Sequence, residues 1–464
     1  MARRHNLIFF IIFAVFFGFL LVTGEPISVG DTFQYESQMV MREPIYALLI
    51  QVLRFVSPKD HYWLIIILQN ILAIAANTVF IAWIRKRFGL NVWVSLLFTA
   101  ILLVPHIMTP IFASTHLVLT NALMTEGILF SLYPLAMMCL MNMLWSGKAV
   151  GRESLTTIGL FLLLSLIRGQ MMVLFVVWFL VAFVLAVKNA VKDRKNTFDL
   201  AENIAKRGFL AAVAVFIIAF AARSVLIRVY NYCEQGLFVE TASGKAMSFA
   251  NILYVADRSD GDAIAEDALR QLFYEMYDAA DADKMNYKYA KKGILNSAAY
   301  HEKCHDELNF TYFGEPAKRY VGETRGIYTD RYQELMIAVD GVAVQLSSAL
   351  MPQVLGRYIQ NYITVITLGF IRTVAYEHPL LAWYALLIYI VAVVLTIVLW
   401  KKDHESMAAA FMAVMLVTIV GNVCATALMI QCISRYMIYN LPLFYMAGFL
   451  ELLELFGVKS RKAS

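Results

Sequence analysis

Charge is scarce in this chain. Only 16% of its 464 residues are Asp, Glu, Lys or Arg, against 60% hydrophobic, and the mean hydropathy is +0.65. So little charge excludes an ordinary soluble globular protein. Several apolar runs instead reach the roughly 20 residues that cross a bilayer. Cysteine is sparse too: Cys139, Cys233, Cys304, Cys424 and Cys432 contain no CxxC pair and no Cys/His ligand spacing, which argues against a thiolate metal site. Cys233 and Cys304 share the large polar segment, and a disulfide or two free thiols fit them equally. There is no Walker motif and no GxSxG, so nothing speaks for ATP-driven transport or a serine hydrolase. No small-residue cleavage site follows Val22, so the first apolar segment reads as a retained span rather than a cleaved signal. Internal repeats and low-complexity segments are absent.

What is present is a regular alternation of apolar runs and charged loops. The runs are 7–22, 62–84, 92–104, 122–145, 155–167, 171–187, 209–225, 380–400, 407–428 and 436–455, about ten spans. Basic clusters precede the first span, at Arg3-Arg4, and follow every second one: Arg85-Lys86-Arg87, Lys148 with Arg152, the stretch from Lys188 to Arg207, Lys401-Lys402, and Lys459 with Arg461 and Lys462. The positive-inside rule places all of them, and both termini, in the cytoplasm of a cell-membrane protein. The fold class expected is an all-α polytopic membrane protein. Residues 1–225 form an N-terminal transmembrane module with a first external loop at 23–60. Residues 226–378 form an extracytoplasmic domain, and residues 379–464 a C-terminal transmembrane module. The apolar stretch 342–374 reads as helices lying on the membrane face of that domain, with a membrane hairpin as the alternative.

The loop 23–60 is polar at its start, with Glu25, Asp31 and Glu36 ahead of Arg42 and Glu43. It then turns amphipathic. Pro44 suits a first helical position, and Ile45, Leu48, Leu49, Val52, Phe55 and Val56 recur at the spacing of a membrane-surface helix that ends at Ser57-Pro58.

Four arginines break the charge rule. Arg42, Arg168, Arg372 and Arg435 fall on the outer side at or near membrane depth, where an arginine must snorkel, pair or bind an anion. Four together point to an anionic ligand, because the guanidinium fork matches two phosphate oxygens. Asp31 is a helix cap by its spacing to Gln34, and a general base or cation anchor by its isolation. Glu126, in Thr125-Glu126-Gly127 at the outer end of a span, is either a functional carboxylate or the partner of one of the arginines. Asp260-Gly261-Asp262 has the look of a DxD motif but is first a turn. His106 and His116 flank an external loop without a third ligand and read as interface polar residues.

These stretches together resemble the integral-membrane GT-C glycosyltransferases, which use polyprenyl-phosphate sugars, mannosyltransferase-like members included. The resemblance rests on Asp31 to Tyr35 followed by Arg42-Glu43-Pro44-Ile45-Tyr46; on Thr125-Glu126; on Leu166-Ile167-Arg168, where Gly169 replaces the proline often found in the family; and on Ser434-Arg435-Tyr436 leading to Asn440-Leu441-Pro442. It covers most of 1–225 and 380–455 and none of 228–378. It implies a bundle in which Asp31, with Glu126 as second candidate, deprotonates an acceptor hydroxyl that displaces phosphate with inversion. Tyr35, Arg42, Glu43, Arg168, Arg372, Arg435 and Tyr436 would bind the donor. The acceptor would be a glycan, lipid or protein of the cell envelope, and the partners are membrane lipids and the lipid-linked sugar, with no nucleic acid. A divalent metal stays open, since some relatives need one, and no residue is assigned to it. Two other readings compete: a many-spanning polysaccharide polymerase or ligase, and a non-catalytic transporter. The latter lacks the matching Gly/Pro-broken helices expected of inverted repeats.

Overall fold

The computed structural model describes residues 2–112, 117–194, 198–375 and 379–457. Helices dominate; among the described residues the one extended pairing is an isolated parallel bridge between Ile27 and Ala122. Ten helices there are long and apolar enough to cross a membrane. The chain is an all-α polytopic membrane protein.

Two members of the expected set behave differently from their apolarity. The helix Arg152–Ile167 has only 16 residues, short of a full bilayer crossing, yet it packs between Glu126–Ser146 and Val173–Arg194 and joins their opposite ends. Conversely, 342–374 is neither a hairpin nor several helices. It belongs to one continuous helix, Tyr332–Val374, of 43 residues, roughly 65 Å at 1.5 Å per residue. Both its ends lie on the face of the bundle that carries Asp31. Near its start the Gln333 side chain accepts the Val40 N–H at 3.1 Å, and near its finish Arg372 donates to the Cys432 carbonyl at 2.8 Å. A helix that starts and finishes on one face runs across the bundle, not through it.

That helix also joins two apolar cores. Leu335 to Val354 pack with Phe249, Leu253, Phe273, Met276 and Phe313 in the core of the surface domain. Val365, Ile371 and Val374 belong to the bundle core with Phe411, Met415 and Phe444. The last helix of the first module, Phe198–Gln235, runs on past residue 225 and reaches the first loop, where the Gln235 amide donates to the Gln38 carbonyl at 3.0 Å.

The basic helix ends gather away from Asp31. Arg87 lies 4.4 Å over the Trp145 ring, and the Asn189 amide donates to the Gly147 carbonyl at 2.9 Å. At the Asp31 end, Pro44–Val56 begins at its proline, buries Tyr46, Ala47 and Ile50, and leaves Val52, Phe55 and Val56 exposed, as a helix resting in a membrane surface would.

Candidate functional site

The site is built on a short segment that dips into the bundle ahead of Glu126. Polar side chains inside an apolar helix must find partners, and those of His61–Phe88 fasten this segment. The Gln69 amide donates to the Thr120 and Ala122 carbonyls at 3.0 and 3.1 Å. Asn70 donates to the Asn121 side chain at 3.2 Å, which in turn donates to the Leu20 carbonyl at 2.9 Å. Tyr46 donates to the Gln69 carbonyl oxygen at 3.1 Å, tying the first loop to the same node. Gly127 is required here, because a Cβ would sit 2.5 Å from the Gln69 side chain.

Glu126 therefore stands at the start of its helix only 1% exposed. Its Oε1 lies 2.7 Å from Arg168 Nη1 and 4.0 Å from Arg435 Nε, and its Oε2 accepts the Thr125 hydroxyl at 3.0 Å. Arg168 also donates to the Thr125 oxygen at 2.9 Å. Tyr436 lies under both guanidinium groups, at 4.7 Å from Arg168 and 5.0 Å from Arg435, and accepts from Arg435 Nη2 at 2.9 Å. The turn carrying Arg435 and Tyr436 is pinned by Gln170, whose amide donates to the Tyr436 carbonyl and to Asn422, each at 2.8 Å. Two guanidinium groups thus share one carboxylate.

Asp31 precedes the short helix Thr32–Glu36 but makes no side-chain cap. Its carboxylate accepts from Arg42 Nη2 at 2.7 Å and keeps 29% of its side chain exposed, while Arg42 Nε donates to Gln34 at 2.7 Å. The capping role is replaced by an ion pair. Tyr35 is buried, edge-on to Tyr46 at 5.0 Å; burial pushes its hydroxyl pKa up to about 12, with Arg42 and Arg168 pulling the other way, so it stays neutral at ordinary pH. For Arg42, burial lowers the pKa, and Tyr35, Asp31 and Glu43 more than offset this and hold it above its ordinary value. The charges of Glu126, Arg168 and Asp31 all act on Arg435.

Glu43 pairs with Arg223 at 3.4 Å against the backbone of Gly169, where a Cβ would lie 2.5 Å from Glu43 Oε1. The glycine that departs from the Arg-Pro pattern is thus the residue that lets Glu43 approach. Around the site, Arg42, Arg168, Arg223 and Arg435 face Asp31, Glu43 and Glu126, and the charge of Asp306 also acts on Arg435.

Arg372, expected to bind the donor, is placed elsewhere. It is 3% exposed, pairs with Glu302 of the surface domain at 2.6 Å and donates to the Cys432 carbonyl. It clamps the domain to the bundle, the partnership a buried arginine needs. Asp260 is likewise structural: Asp257 and Asp260 form a capping box and both pair with Arg357, while Asp262 accepts from Tyr274. His106 is buried edge-on to Phe17 and Phe130; His116 lies outside the described residues. All five cysteines are free, Cys233 exposed and Cys304 buried. Among the described residues no group of three or more His, Cys, Asp or Glu is arranged to hold a metal ion.

Sequence reasoning missed Arg223, Gln170 and Tyr439. A charge inside the apolar run 209–225 was the available signal for Arg223; Gln170 and Tyr439 carried none. No protein-family model matches the chain, and searches of curated proteins and of solved structures find no match.

Proposed function

We propose that this chain is a glycosyltransferase that moves a sugar from a polyprenyl-phosphate donor to an envelope glycan, lipid or protein acceptor at the extracytoplasmic face, with inversion, as the resemblance to GT-C enzymes implies. The observation that carries the reading is the pair of guanidinium groups on one buried carboxylate, beside an accessible Asp31. Two guanidinium groups drawn to one carboxylate at a partly exposed site suit an anion, and a forked donor suits a phosphate. Asp31, oriented by Arg42, takes the proton of the acceptor hydroxyl. The hydroxyl oxygen attacks the anomeric carbon, the bond to the phosphate oxygen breaks, and Arg168 and Arg435 hold the charge that develops there. Glu126 acts as the counter-ion that sets the site's net charge. An apolar cavity of about 300 Å³ lined by Leu97, Ile101, Val104, Leu441 and Tyr445 suits an isoprenoid chain. The basic helix ends on the opposite face support the extracytoplasmic placement.

The test is transfer from a short-chain polyprenyl-phosphate sugar in membranes with and without the protein, paired with mass spectrometry of envelope glycans. Unchanged glycans together with no transfer overturn the reading. Impermeant thiol labelling of Ser259→Cys in a background with Cys233 replaced checks the face; labelling only after lysis overturns the placement.

A further inference from the structure

The turn Ile438–Asn440 joins the segment bearing Arg435 to the helix Leu441–Leu455 and places Tyr439 2% exposed. Its ring stacks on Phe130 at 4.4 Å, one turn along the helix from Glu126. The charges of Arg168, Glu126 and Arg435 all act on its hydroxyl. Buried tyrosine hydroxyls normally find a partner, and the neighbours here do: Tyr133 donates to Asn440 at 2.5 Å, Tyr46 to Gln69 and Tyr445 to the Val374 carbonyl. The Tyr439 hydroxyl makes no hydrogen bond among the described residues, and neither does the buried Nε of Arg435. The hydroxyls of Tyr230 and Tyr254 also make no hydrogen bond among the described residues, but Tyr254 sits in the separate core of the surface domain and the charge acting on Tyr230 is that of a carboxylate, Glu234.

We propose that Tyr439 is a direct ligand contact: its buried hydroxyl, under the charges of Arg168 and Arg435, supplies a donor for an oxygen of a bound phosphoester. The inference rests on the anion-site reading above. An unpaired buried donor is costly in the empty protein, so the cost is recovered when an acceptor oxygen arrives, and the hydroxyl discriminates for an oxyanion over an apolar group of the same size. The phosphoester comes either from a lipid-linked substrate or from free phosphate, and both present the same oxygen to this donor.

The experiment uses the full chain in nanodiscs, with farnesyl phosphate and inorganic phosphate as separate probes, and reads binding isotherms and unliganded thermal stability for wild type, Tyr439→Phe, Tyr133→Phe and Arg168→Ala. Tyr439→Phe is expected to keep wild-type unliganded stability, because no bond is lost, and to weaken probe binding roughly tenfold to a hundredfold, the range for a hydrogen bond to a charged group. Tyr133→Phe, which loses its bond to Asn440, is expected to lower unliganded stability. Loss with both probes assigns the subsite to phosphate itself; loss with farnesyl phosphate alone assigns it to the lipid-linked form. Wild-type binding by Tyr439→Phe, while Arg168→Ala binds weakly, overturns the Tyr439 contact and leaves the anion site standing. Lower unliganded stability in Tyr439→Phe gives the hydroxyl a structural partner and overturns it too. Absence of binding by the wild type overturns both.

Discussion

Replacing Glu126 by Gln is the sharpest physical test of the site, because it changes charge and almost nothing else. The carboxylate is 1% exposed, sits 2.7 Å from Arg168 and 4.0 Å from Arg435, and so compensates two guanidinium groups at once. Removing one partner of a buried pair costs about 3–5 kcal/mol, because a desolvated charge is left behind. Arg168 and Arg435 keep 16% and 25% of their side chains exposed, so the lower end, about 3 kcal/mol, applies by that same estimate. The variant should therefore melt well below the wild type in detergent. It should also gain affinity for small anions, since two guanidinium groups are now uncompensated. A phosphate concentration of about 100 times its Kd returns roughly 2.7 kcal/mol, nearly the whole loss. Thermal unfolding in sodium phosphate against sodium chloride at matched ionic strength separates this from general screening. A variant with wild-type melting temperature, or one that phosphate stabilises no more than chloride does, refutes the shared-carboxylate account.

Three further outcomes follow from the same geometry. Asp31→Asn keeps the size of the side chain but removes the base, so transfer should fall to background with the fold intact; activity within a few-fold of wild type would shift the base to another carboxylate. Gly169→Ala puts a Cβ at a point 2.5 Å from Glu43 Oε1; the carboxylate is the end of a flexible side chain and swings away, so stability changes little, but its pairing with Arg223 opens and transfer drops by about a hundredfold, the scale for a 1 Å misplacement. Restored pairing is impossible in Gly169→Ala, so a Gly169→Ala, Glu43→Ala double variant should be no worse than the single one, and a strictly multiplicative loss would refute the clash. In the surface domain, burial and then the neighbouring His305 hold the His301 pKa well below its ordinary 6.5. The unfolded chain takes up that proton near 6.5 and the folded chain does not, so stability is complete above that pH and declines below it, by up to about 1.4 kcal/mol per pH unit. Melting temperature from pH 7.5 down to 5 should fall more steeply for the wild type than for His301→Gln, and parallel curves would refute the assignment.

The sequence made the spans legible because hydropathy and basic-loop placement report on single segments, and each span satisfies its own backbone bonds. Length alone does not decide two segments, 155–167, counted among the spans, and 342–374, read as helices on the membrane face of the domain. Arg152–Ile167 is too short by count but is flanked by helices on both sides, so its ends need not reach bulk water unaided. Tyr332–Val374 is long and apolar because it serves two cores, one in the surface domain and one in the bundle; an apolar face turned to protein has the same composition as one turned to lipid. The arginines were legible as a set, since each violates the charge rule, yet the rule cannot say which carboxylate answers which arginine. Arg168 and Arg435 converge on Glu126, whereas Arg372 is answered by Glu302, in a domain whose sequence resembled nothing. That difference matters for chemistry: Arg168 and Arg435 converge on one carboxylate near the partly exposed Asp31, whereas Arg372 and Glu302 tie the surface domain to the bundle. Asp306 of the same helix accepts from Gln431 at 2.9 Å, and its charge acts on Arg435. The domain is thus fastened to the segment that leads to Arg435, by a contact between Gln431 and Asp306, 125 residues apart in the chain.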